Sequence, residues 1–151
     1  MKSLSDGVLT ALVLAAGALL PVQALVNGRL GTQLANPVWA STIQNVIGVG
    51  LMLLVILALR APPPAAAQLA GVPIWTWAGG ALGATYVLLV LLATPRLGTT
   101  RAMVAVITGQ LVVSVLLDHF GVLQARRPID LKIVAGLVLL AGGAVLILRH
   151  D

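Results

Sequence analysis

Apolar residues fall along this chain in long continuous blocks, not in alternation with polar ones. Five blocks cover approximately residues 7–26, 38–59, 74–94, 102–120 and 131–148. Each lies close to the ~20 residues an α-helix needs to cross a hydrocarbon core ~30 Å thick. A backbone in lipid has to pair its own N–H and C=O groups, which only a helix does within one segment. Barrel strands would be shorter and would alternate. The pattern therefore predicts an all-α integral membrane protein with five transmembrane helices, forming one transmembrane domain over residues 1–151.

The breaks carry turn chemistry. Asn27-Gly28 and Asn36-Pro37 bracket the first connection, and Pro62-Pro63-Pro64 through Pro73 predicts an extended, polyproline-like second one. Pro95-Arg96-Leu97-Gly98 turns the chain after the third block, and Gly121 through Pro128 after the fourth. Trp39, Trp75 and Trp77 stand at the starts of blocks, where an amphipathic ring prefers the headgroup layer. Residues 1–26 also have the outline of a signal peptide, with Lys2, an apolar run and a Val22-Gln23-Ala24 ending. The segment is expected to be kept as the first span.

Composition turns the pattern into a statement about solvent. Of 151 residues, 60% are hydrophobic and 9% charged, with a mean hydropathy of +1.08. A soluble domain is about half apolar and a quarter charged, because its surface faces water. Here the charges are too few to coat a sphere, so the exterior has to be solvated by lipid. The net charge of +5 does not point to nucleic acid, since the nine basic residues sit singly or in small groups and form no patch. There is no cysteine, and the two histidines and four carboxylates (Asp6, Asp118, Asp130, Asp151) have no metal-ligand spacing. No nucleophile–base set, paired carboxylates or phosphate loop emerges, and Gly48-Val49-Gly50 lies inside a span. Neither an enzyme nor a metal or cofactor is expected.

Small residues suggest where helices meet. Gly79 with Gly83, and Gly80 with Ala84, have the spacing that lets backbones approach closely, and Ala141-Gly142-Gly143-Ala144 reads the same way. Arg29-Leu30-Gly31-Thr32 recurs as Arg96-Leu97-Gly98-Thr99, an echo short enough to be coincidence.

Charge leaves orientation nearly undetermined. With an odd number of spans, the amino-terminal side carries Lys2, Arg60, Arg126, Arg127 and Lys132, five in all, and the other side Arg29, Arg96, Arg101 and Arg149, four. Orientation normally follows the Lys and Arg excess, and here there is almost none. Two readings follow. Either the chain inserts both ways and pairs as an antiparallel homodimer, or Arg29, Arg96 or Arg101 points into a cavity and the amino terminus simply faces the cytoplasm.

The candidate chemistry lies in a few intramembrane polar residues. Pro21 predicts a kink in the first span, and Gln23 and Asn27, four apart, share a face beyond it, either lining a site or capping the helix end. Gln110, Ser114 and Asp118 form one stripe on the fourth span, which has to face helices or water. Asp118 sits where the helix dipole disfavours an anion. It is expected either to clamp onto Arg126, Arg127, Lys132 or protonated His119, or to be a proton- or substrate-coupled carboxylate. Ser41, Gln44 and Asn45 cluster early in the second span, and Tyr86, the sole tyrosine, stands mid-way along the third, where its phenol needs a partner. Arg149 and His150 are expected to be solvated or snorkelling.

Taken together, Leu20-Pro21-Val22-Gln23-Ala24, Asn27-Gly28-Arg29-Leu30-Gly31 and Gly79-Gly80-Ala81-Leu82-Gly83-Ala84-Thr85-Tyr86-Val87 resemble the short, five-helix branch of the drug/metabolite transporter superfamily. Pro95-Arg96-Leu97-Gly98, Gly109-Gln110-Leu111, Asp118-His119-Phe120-Gly121 and Arg127-Pro128 extend the match over nearly the whole chain. The resemblance implies a half-size transporter of the cell membrane, in bacteria the inner membrane, similar to one half of ten-helix relatives and completed by an antiparallel copy. It favours the dual-insertion reading. It implies four helices around a central cavity and a peripheral fifth, with Gln23, Asn27, Gln44, Tyr86, Gln110 and Ser114 as lining candidates. Asp118, His119, Arg29, Arg96 and Arg127 become the charge-pair or coupling candidates. The function it implies is secondary export of a small metabolite or drug-like solute by alternating access. The alternative is a non-transporting membrane subunit that needs a different partner chain. The cargo is not implied.

Overall fold

Each apolar block does become a helix, and what decides its ends is where the backbone finds caps. The computed structural model describes residues 5–122 and 125–149; Lys2, His150 and Asp151, weighed above, lie outside the described residues. Helix α1 spans Asp6–Gln33, α2 Pro37–Leu59, α3 Ala66–Ala70, α4 Ala78–Leu97, α5 Thr99–Phe120 and α6 Leu131–Arg149, with a 3-10 turn at Ile74–Trp77 before α4. No strand occurs among the described residues. Five of these segments are long and apolar enough to cross a bilayer. In each, no more than 11% of the most apolar window is buried within the chain, so the apolar surface is left for lipid or another chain.

Side-chain caps set three of the starts. Ser5 Oγ accepts from the Val8 N–H at 3.4 Å to open α1. Asn36 Oδ1 accepts from the Val38 and Trp39 N–H groups at 3.1 and 3.2 Å, with Pro37 in the first turn where its missing N–H costs nothing. Asp130 Oδ1 does the same for the Ile133 N–H at 2.8 Å before α6.

Three expected boundaries differ. Asn27-Gly28 is not a break: α1 runs through it, and through Pro21, to Gln33, a 28-residue helix ~42 Å long. The turn falls later, at Leu34–Asn36. Pro95 likewise stays inside α4, so the third connection shrinks to Gly98 between α4 and α5. The second connection is not wholly extended, since the five-residue helix α3 interrupts it.

The chain gathers into two compact units, divided between Arg96 and Leu97. In the first, the buried residues of α1 are Ala24, Asn27, Gly28 and Gly31, at i, i+3, i+4 and i+7, one narrow helical face. That face meets Ala40 of α2 and Leu91, Thr94 and Pro95 of α4. Gly31 is needed there: a Cβ at that position would stand 2.6 Å from Leu91 Cδ2. Among the described residues, the small-residue contact expected at Gly79, Gly80 and Gly83 does not form within the chain, as a Cβ at any of the three meets nothing within 4 Å. In the second unit α5 and α6 run antiparallel, and Ala102, Met103 and Ala144 are the buried residues. Gly121 ends α5 at φ 66°, the left-handed conformation that closes a helix.

Candidate functional site

Helix α1 is apolar until its last third, and the polar residues there are the ones the fold turns inward. Asn27 is 8% exposed, and its Nδ2 donates to Gln44 Oε1 of α2 at 3.0 Å. One turn back on α1, half-buried Gln23 lines a small pocket with Asn27 and with Tyr86, Val87 and Val90 of α4. The space open to water centres is about 10 Å³, room for one water. Gln23, Asn27, Gln44 and Tyr86, drawn from three helices, are thus gathered in one place within the first unit.

The neighbouring polar residues are absorbed by the backbone. Asn45 Nδ2 donates to the Ser41 carbonyl at 2.8 Å, and buried Thr94 Oγ1 donates to the Val90 carbonyl at 2.7 Å. No buried side-chain nitrogen or oxygen lacks a partner among the described residues. The Tyr86 hydroxyl, half-buried at the pocket wall, makes no hydrogen bond among the described residues, so the expected interhelical partner is not seen. Sequence reasoning named Asn27 and Gln44 separately; nothing in their spacing, seventeen residues apart across a turn, signalled that they pair.

On α5 the stripe takes two forms. Ser114 Oγ donates to the Gln110 carbonyl at 2.7 Å, a bond within the helix, while Gln110 and Ser114 are both exposed in the single chain. Asp118 is half-buried at the helix end, and its contacts with the following segment run through backbone. The Arg127 N–H donates to the Asp118 carbonyl at 2.8 Å, and Arg126 Nε donates to the His119 carbonyl at 2.9 Å. His119 Nδ1 accepts from the Ile129 N–H at 3.3 Å. The arginines thus donate to carbonyls at the end of α5, and no carboxylate–guanidinium pair forms at Asp118 among the described residues.

Arg29 is exposed near the end of α1, and its carbonyl accepts from Thr32 Oγ1 at 2.8 Å. Arg96, exposed in the last turn of α4, borders a groove with Gly28, Gly31, Thr32 and Pro37. Neither belongs to the Gln23–Asn27–Tyr86 pocket. Its lining residues carry no charge and present amides, a phenol and apolar side chains. Among the described residues no cluster of His, Cys, Asp or Glu is arranged to hold a metal ion.

Against this geometry stands one match among known proteins. A family model described as "Putative inner membrane exporter, YdcZ" matches residues 8–146. No curated protein and no solved structure matches the chain. The family is one of transporters, not enzymes, and its drug/metabolite transporter type agrees with the short five-helix branch that the sequence resembles. With five membrane-crossing helices and the match running through all of them, the chain belongs to this inner membrane exporter family and is a multi-pass protein of the cell membrane.

Proposed function

We propose that the chain is a secondary exporter of small, uncharged or amphipathic solutes, working by alternating access as an antiparallel homodimer. The observation that carries this reading is the Asn27–Gln44 hydrogen bond beside Gln23 and Tyr86. It concentrates amides at a point between membrane-crossing helices, where polar groups are costly and mark solute paths. A pocket with room for one water is too small for a drug-sized solute, which fills ~300 Å³ or more. The transport cycle therefore has to widen it, and a second copy supplies the remaining walls.

Two further observations support the partner. Gln110 is exposed in mid-span, and lipid offers its amide no hydrogen bond, so a facing polar surface is required. The Lys and Arg balance of five against four lets the chain insert both ways, rebuilding from two copies the inverted repeat of larger carriers.

The test is reconstitution of the purified chain alone in proteoliposomes, with a screen of solutes for uptake or solute-driven current. Transport that disappears in Asn27→Leu and Gln110→Leu protein, both still helical and inserted, is the expected result. An inert homodimer that gains transport only with a different chain would replace the carrier reading with that of a subunit.

A further inference from the structure

The second unit carries a groove that the transport reading does not use. On α5, Thr100, Arg101, Val104 and Ile107 follow one another along a single face. Opposite them on α6 lie Ile147, Ala144, Gly143 and Leu140, met in reverse order as antiparallel helices require. Two hollows, of about 280 and 450 Å³, lie along this seam and share Ile147. Their walls are aliphatic except at one end, where Thr100 and half-buried Arg101 stand within the first turn of α5.

We infer that this groove binds an anionic phospholipid, its acyl chain lying between α5 and α6 and its phosphate on Arg101 and Thr100. The inner part offers nothing polar to a solute and lies along the apolar, membrane-crossing lengths of α5 and α6. Any lipid tail fits such a surface, and moving a tail from bilayer to groove changes its solvent little. Selection therefore comes from the polar end. The Arg101 guanidinium presents donors in the fork that phosphate oxygens accept. Among the described residues no carboxylate lies at this end of the pair, since Asp118 and Asp130 stand at the opposite ends of α5 and α6, and Arg149 in the last turn of α6 adds charge of the same sign. As the third residue of its helix, Arg101 lies ~3 Å along the axis from the start of α5, at the level of lipid headgroups. A zwitterionic lipid brings its own cation to that spot, whereas phosphatidylglycerol brings net negative charge.

The test uses the full-length chain in nanodiscs of equal phosphatidylglycerol and phosphatidylcholine, with the lipids retained on release counted by native mass spectrometry. The parent is expected to keep phosphatidylglycerol in preference. Arg101→Gln lowers that preference about fivefold, the factor that ~1 kcal/mol per interfacial arginine represents. Arg60→Gln, which removes an arginine from the other side of the membrane, leaves it unchanged. Gly143→Leu, where a new Cβ meets nothing within 4 Å, fills the groove and reduces retention of both lipids. Leu140→Trp serves the same purpose should that variant lose its helical circular dichroism. An unchanged preference in Arg101→Gln overturns the site, as does undiminished lipid in both filled variants. Displacement of the lipid by excess inorganic phosphate overturns it in favour of a soluble anion. A disulfide between two copies of Leu140→Cys protein, midway along α6 where antiparallel copies come level, overturns it in favour of a second chain seated in the groove.

Discussion

Asn27 of α1 donates its side-chain N–H to Gln44 of α2 across 3.0 Å, tying two membrane-crossing helices through a pair of amides. Because Asn27 is buried and Gln44 half-buried, each is the other's main alternative to an unpaired polar group in an apolar setting. Asn27→Leu or Gln44→Leu alone should lower stability by about 1–2 kcal/mol, since each leaves an amide without its partner. The double variant should cost less than the sum, with a coupling of about 0.6 kcal/mol and at most ~1.7 kcal/mol, the average and maximum for hydrogen bonds between membrane helices. Unfolding in mixed micelles, run as a double-mutant cycle, measures it. Additive losses would mean the bond contributes nothing.

A second prediction separates two glycines three residues apart. At Gly31 a methyl group meets Leu91 Cδ2 at 2.6 Å, so Leu91, only 2% exposed, has to change rotamer or shift. Gly31→Ala should cost about 1–3 kcal/mol through overpacking. At Gly28 the nearest atoms, of Pro95 and Thr94, stand 3.5–3.6 Å from a new Cβ, which is ordinary contact. Gly28→Ala should therefore be neutral, or stabilising by up to ~1 kcal/mol through helix propensity. Shortening Leu91 to alanine should remove most of the cost of Gly31→Ala. Thermal midpoints of the four proteins decide it, and equal losses at positions 28 and 31 would show that the packing differs from the one described.

These residues also show what the sequence displays and what it hides. The five spans were legible because one term, the cost of an unpaired backbone in lipid, outweighs the others and is written in runs of apolar residues. The end of α1 was not. Asn27-Gly28 has turn chemistry, yet here the amide is taken by Gln44 and the glycine packs in ordinary contact with Pro95 and Thr94, so both lie inside a helix. Pro95 likewise stands inside a helix, α4 running past it to Leu97, so a proline alone does not mark the helix end here. Small-residue spacing is as regular at Gly79 and Gly83 as at Ala24, Gly28 and Gly31, and only the tertiary arrangement decides which set is covered. The site was legible as residue types, namely Gln23, Asn27, Gln44 and Tyr86, but their pairing depends on a rotation between helices that no local pattern encodes.

The end of α5 yields a third prediction. Gly121 adopts φ 66°, and a Cβ there would lie 3.1–3.3 Å from Cβ, Cα and N of Arg126. Alanine would carry the left-handed penalty of about 1–2 kcal/mol and would also push away the backbone that brings Arg126 Nε to the His119 carbonyl and the Arg127 N–H to the Asp118 carbonyl. Gly121→Ala should therefore lower the thermal midpoint clearly. Gly121→Asn should do so less, because asparagine tolerates the conformation, and Gly121→Val should do so most. A flat series would mean that this cap is unimportant to the fold.

The near balance of basic residues gives the last prediction and tests the antiparallel pair directly. Ala65→Lys with Ala67→Lys, both at exposed positions in the second connection, raises the amino-terminal side from five Lys and Arg to seven against four. Gln33→Lys with Ala35→Lys and Arg60→Gln raises the opposite side from four to six and lowers the first from five to four. Because orientation follows the excess in short loops, each variant should insert one way, and the two should insert in opposite senses. A single cysteine replacing Ala66 or Thr32, labelled from one face of intact cells, reads the orientation. The parent should label from both faces and each locked variant from one. If two opposed copies build the transport path, each locked variant alone loses most solute uptake, and co-expression restores it, because only the mixture contains antiparallel pairs. A locked variant that transports as well as the parent would leave the antiparallel arrangement without a role, since every copy in that membrane faces the same way.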